Sequence, residues 1–116
     1  NVVEVWGTGK VEREFLNVED LAEAIFFCIT KKIPYSYINV GSGDFISIRK
    51  LALMIKKISK FQGKILFNKK YPDGVLKRRL DSTKINNLGW KRSISLHKGV
   101  KDYYNYFQSI YNSNGK

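Results

Sequence analysis

Arg13-Glu14-Phe15-Leu16-Asn17-Val18-Glu19-Asp20-Leu21-Ala22-Glu23-Ala24-Ile25-Phe26-Phe27-Cys28-Ile29 runs from a short extended piece into an amphipathic helix. Val18, Leu21, Ala22, Ile25, Cys28 and Ile29 recur at three- and four-residue steps, the spacing of one helix face, and are expected to face a core. Asn17 suits the N-cap, and Asp20 stands three residues on, where a capping-box acid would sit. Glu19, Asp20 and Glu23 fill the first turn and Lys31-Lys32 the end, matching the helix dipole at both poles. Pro34 closes the helix.

The same grammar repeats outward. Ser47 caps a second helix whose apolar face is Ile48, Leu51, Ala52, Ile55 and Ile58, with Lys50, Lys56, Lys57 and Lys60 outside. Ser95 caps a third, with Leu96, Val100, Tyr103, Phe107 and Ile110 on one face. Asp81-Ser82-Thr83-Lys84-Ile85 opens a short helix that Gly89 would end. Between them, Tyr37-Ile38-Asn39-Val40 and Lys64-Ile65-Leu66-Phe67 read as short strands. Strands alternating with helices predict an α/β (α+β) domain with a small mixed sheet and three to four helices. Residues 1–111 are expected to form this single domain, and 112–116 a disordered tail.

The chain has 116 residues and carries a net charge of +11. Six acids lie in residues 1–30 against Lys10 and Arg13, so 19 of the 21 Lys and Arg fall in the other 86 residues. Such an excess attracts polyanions, although most exposed lysines merely solvate helix faces. No apolar run approaches the roughly 18 residues of a membrane span, and no basic-then-apolar leader is seen. The single cysteine, Cys28, excludes an internal disulfide and implies a reducing compartment. The single histidine, His97, excludes a multi-histidine metal site. The chain starts at Asn1 and runs straight into Val2-Val3-Glu4-Val5, as the middle of a longer protein would.

Gly7-Thr8-Gly9 and Gly41-Ser42-Gly43 resemble fragments of phosphate-binding turns, but neither completes G-x-G-x-x-G. Tight turns that need positive φ explain them better. Cys28 lies on an apolar helix face and reads as a packed thiol, and nothing places a nucleophile beside His97. No catalytic constellation is therefore expected here. The informative stretch is Lys69-Lys70-Tyr71-Pro72-Asp73-Gly74-Val75-Leu76-Lys77-Arg78-Arg79. Pro72-Asp73-Gly74 is a turn, and the cations around it could engage a diphosphate bidentately. Trp6 and Arg13, across the Gly-Thr-Gly turn, offer a flat face and a guanidinium fork, with core packing of Trp6 an even rival. A nucleic-acid role fits less well, since Tyr103, Tyr104, Tyr106 and Phe107 are not interleaved with basic residues.

Taken in order, these pieces resemble the C-terminal portion of the GDP-L-fucose synthase family, the GDP-4-keto-6-deoxy-mannose epimerase/reductases of the extended short-chain dehydrogenase/reductases. The resemblance rests on Val5-Trp6-Gly7-Thr8-Gly9, Arg13-Glu14-Phe15-Leu16, Asp20-Leu21-Ala22, Ile38-Asn39-Val40-Gly41, Ile46-Ser47-Ile48-Arg49-Lys50-Leu51-Ala52, Pro72-Asp73-Gly74, Leu88-Gly89-Trp90 and Ile94-Ser95-Leu96. Asn17, Glu19 and Val75-Leu76 depart from the family's usual histidine, aspartate and more polar pair. The resemblance implies that an N-terminal Rossmann domain binds NADP(H) and carries the catalytic residues, while this part closes over a GDP-sugar. It also implies substrate contacts from Trp6, Arg13, Asp73, Arg78 and, with less support, Lys77. The expected setting is cytoplasmic, as a homodimer, with no nucleic-acid or membrane partner. The alternative substrate is another GDP-4-keto sugar, including a 6-deoxy-heptose.

Overall fold

The computed structural model describes residues 1–114. Strand β1 (Val2–Trp6) and β2 (Glu12–Glu14) lead into helix α1 (Val18–Thr30). Then come β3 (Phe45–Ser47), α2 (Ile48–Ser59) and β4 (Lys64–Asn68), and the chain finishes with α3 (Thr83–Asn87) and α4 (Leu96–Asn114). The four helices fall where the caps and periodicities put them. Asn17 accepts from the Glu19 N–H, Ser47 from Lys50 and Ser95 from Lys98. The expected tail is partly helical: α4 continues through Asn114, and the remainder lies outside the described residues.

The small mixed sheet is realised as two separate ribbons. β1 pairs with β4 in parallel, with Trp6 opposite Asn68, and β2 pairs with β3 antiparallel, with Arg13 opposite Ile46. β1 had no strand assignment from the sequence, although Val2-Val3-Glu4-Val5-Trp6 is rich in the branched and aromatic residues that favour strands. Tyr37-Ile38-Asn39-Val40 joins no ladder among the described residues; its Ile38 and Val40 pack against the core as irregular chain.

The buried hydrophobic side chains are Val11, Ala24, Ile85 and Trp90, and Leu16, Phe27, Cys28, Ile38 and Val40 pack around the last three. α1 thus reaches the core through Ala24, Phe27 and Cys28. Of the face expected to be buried, Cys28 alone packs there; the rest points outward, with Val18 75% exposed, Ile25 54% and Ile29 70%. α1 is apolar around much of its circumference, and periodicity alone does not say which side meets this core. The fold is correspondingly flat, 51 × 39 × 18 Å. Its radius of gyration is 17.3 Å, against about 13 Å for a compact domain of this length.

Asp20 is the one acid wholly inside. It accepts from the Ser93 N–H at 2.7 Å, the Ser93 hydroxyl at 2.9 Å and the Ile94 N–H at 3.1 Å. It therefore serves as a long-range anchor, and the expected capping box is not formed. Burial alone would raise its pKa, but these donors and the Arg92 charge outweigh it and hold the carboxyl below its usual range.

Candidate functional site

The end of β4 and the loop from it to α3 lie along the segment from Trp6 to Arg13, held there by five residue pairs. The Gly7 N–H donates to the Asn68 carbonyl at 2.9 Å, continuing the β1–β4 pairing. The Thr8 N–H donates to Asp73 Oδ1 at 2.8 Å, and the Thr8 hydroxyl donates to Asp73 Oδ2. Arg13 Nη1 donates to the Val75 carbonyl at 2.8 Å and to the Glu12 carbonyl at 2.7 Å. The Glu12 N–H donates to the Leu76 carbonyl at 2.8 Å, and Glu12 bridges Lys77 as a parallel extension of the β2–β3 ribbon.

These ties set the loop bearing Asp73, Lys77 and Arg78 alongside the Trp6–Arg13 segment, and the five predicted residues are in different states. Within this chain Trp6 is 67% exposed, and its indole stacks on Tyr71 with ring centroids 4.3 Å apart. Arg13 is half-buried and partly committed to backbone carbonyls. Both carboxylate oxygens of Asp73 are engaged by Thr8, whose hydroxyl and then N–H hold the carboxyl below the usual range. Lys77 pairs with Glu12, Nζ to Oε2 at 2.9 Å. Arg78 is exposed and makes no hydrogen bond or ion pair among the described residues. Arg79 is exposed as well, its guanidinium carbon 5.8 Å from the Phe45 ring centroid. Of the three adjacent basic residues, Lys77 is paired with Glu12 and Arg79 lies near the Asp81 carboxylate, while Arg78 has no charged partner among the described residues.

Sequence reasoning missed four positioning residues. Tyr71 covers Trp6, and Thr8 clasps Asp73. Arg49 donates to the Thr8 carbonyl at 2.9 Å and lies 3.7 Å above the Phe67 ring, pinning the turn from below. Glu14 accepts from the Gly43 N–H at 2.6 Å. The sequence offered only faint signals for them: an aromatic just before Pro-Asp-Gly, and an arginine in the first turn of α2.

The two glycine turns do not cradle a dinucleotide. Gly7 has φ +84°, and a side chain there would run into the Asp73 carboxylate. A side chain at Gly41 would meet the Glu14 carboxylate. Each turn is occupied by an acid, which repels a pyrophosphate, so the residues present do not fit NADP(H). Cys28 is half-buried in the core and His97 exposed at the start of α4, with no hydrogen bond between them among the described residues. No group of three metal-ligating side chains occurs among the described residues, and no helix there is long and apolar enough to cross a membrane.

Residues 1–41 match the model of the NAD dependent epimerase/dehydratase family. A probable GDP-L-fucose synthase 1 of Oryza sativa subsp. japonica is 40% identical over 105 residues, which are 90% of this chain and 32% of that protein. Among solved structures, a GDP-6-OMe-4-keto-L-xylo-heptose reductase from Campylobacter jejuni is 38% identical with a TM-score of 0.84, covering 94% of this chain and 34% of its own. A GDP-mannoheptose C4 reductase from the same organism, solved with NADP bound, is also 38% identical with a TM-score of 0.79, covering 92% and 35%. The chain thus spans about a third of the length of the relatives it matches. Over nine-tenths of its own length it is similar, in sequence and in fold, to part of GDP-L-fucose synthase and of the GDP-heptose reductases.

Proposed function

We propose that these residues are the C-terminal, substrate-closing part of a GDP-L-fucose synthase, a two-domain enzyme that epimerises and reduces GDP-4-keto-6-deoxy-D-mannose. What supports this reading is the loop that bears Asp73, Lys77 and Arg78 being tied alongside the Trp6–Arg13 segment by the Thr8–Asp73 and Arg13–Val75 bonds. Arg78 supplies an uncommitted guanidinium for the diphosphate, and the exposed indole of Trp6 a flat face for the nucleoside. The second Arg13 fork and the spare lone pairs of Asp73 can still meet the ligand. These residues bind and orient. Their binding energy holds the keto carbon in place for chemistry performed elsewhere in the enzyme.

NADP(H) supplies the hydride, and under this reading an N-terminal Rossmann domain holds it, since both glycine turns here are filled by acids. That domain would also cover the outward apolar face of α1, because exposed patches of this kind mark docking surfaces. The assembled enzyme would be a cytoplasmic homodimer. A heptose reductase is the second reading, favoured by the 38% identity to two such enzymes. The test is to give the full-length enzyme NADPH with GDP-4-keto-6-deoxy-D-mannose and, separately, with a GDP-4-keto-heptose. NADPH consumption yielding GDP-L-fucose supports the first reading, and turnover of the heptose alone replaces it with the second. Consumption with neither refutes both.

A further inference from the structure

Tyr71 is placed on Trp6 by the backbone around it. The β1–β4 register sets Trp6 opposite Asn68, and the Thr8–Asp73 clasp fixes the far side of the Pro72-Asp73-Gly74 turn. Between these two ties Tyr71 has little freedom, and its ring lies 17° from parallel with the indole. Its hydroxyl has no partner among the described residues, so the ring is the part the arrangement uses. The stack occupies one face of Trp6, and no other aromatic ring contacts the indole among the described residues.

We infer that Tyr71 is a positioning residue for nucleotide recognition: its ring pins the indole of Trp6 so that one defined face is offered to the base or ribose of a GDP-sugar. This rests on the reading of Trp6 given under Proposed function. An exposed indole on a strand end would otherwise sample several rotamers, and ordering it on binding would weaken the complex. A stacked partner removes that freedom before the ligand arrives.

The test uses the full-length enzyme and compares Trp6→Leu, Tyr71→Leu and Tyr71→Phe by the Kd for GDP, by KM and kcat for the GDP-sugar, and by Tm. Tyr71→Leu should raise Kd and KM about three- to tenfold, the cost of ordering one side chain on binding, with kcat near wild type and Tm lowered only slightly. Tyr71→Phe should restore wild-type affinity. If Trp6→Leu weakens GDP binding while Tyr71→Leu does not, Tyr71 merely covers the indole and the inference is overturned. If Tyr71→Phe loses as much as Tyr71→Leu, the hydroxyl is responsible and the stacking argument fails. Unchanged GDP binding in Trp6→Leu removes the role of Trp6 itself, and the role of Tyr71 with it.

Discussion

Replacing Asp20 tests the most exacting claim about the fold. Its carboxylate is fully buried and accepts three hydrogen bonds from Ser93 and Ile94, joining the first turn of α1 to the segment before α4. A hydrogen bond to a charged group contributes about 1.5–3 kcal/mol, and a donor left buried without a partner costs about 1–3. Asp20→Ala removes the acceptor of all three bonds, and since Ser93 is exposed and its donors can turn to water, a loss of roughly 2–4 kcal/mol is expected. Asp20→Asn keeps one acceptor but turns an NH2 toward a donor, and should cost roughly 2–3 kcal/mol. Urea unfolding of the full-length enzyme, followed by circular dichroism, reads both.

The pH dependence gives an independent check. The folded pKa lies below the ordinary value, so the carboxylate's contribution is complete above about pH 4 and is lost as pH falls through the lower folded value. Asp20→Asn should flatten that acid limb. Both variants falling within about 0.5 kcal/mol of wild type, as for an ordinary surface substitution, would refute the anchor.

Three further outcomes are expected. Arg78→Ala in the full-length enzyme should lower kcat/KM for the GDP-sugar by about 2–4 kcal/mol of transition-state binding with little change in Tm, because Arg78 has no partner among the described residues; unchanged kcat/KM would remove it from the site. Thr8→Val should let the Asp73 pKa rise toward the ordinary carboxylate value, since the Thr8 hydroxyl is the main cause of its depression; NMR titration of Asp73 reads this, and an unmoved pKa would contradict the clasp. Ile25→Glu places a charge on the outward face of α1. If the rest of the enzyme covers that face, the full-length protein should lose on the order of 2–4 kcal/mol, whereas wild-type thermal stability would show the face open to water.

The sequence by itself determined the local elements. Asn17, Ser47 and Ser95 set the starts of three helices, because a cap is a contact between neighbours in the chain. Pro72-Asp73-Gly74 and the basic run after it marked the loop that holds the candidate site. Everything joining residues far apart in sequence was decided by the tertiary structure. Asp20 has the spacing of a capping acid, yet its bonds run to Ser93 and Ile94, since a buried carboxylate goes where several donors converge. Trp6 meets Tyr71 because a parallel β1–β4 pairing brings their turns together, and no local pattern encodes that register. The Glu12–Lys77 pair and the Asp81 carboxylate beside Arg79 leave Arg78 as the one of three adjacent cations with no charged partner among the described residues. On α1 the apolar spacing marked one face, and only the fold showed that most of it lies outside this core. Periodicity marks a face that favours burial, and it does not say against what.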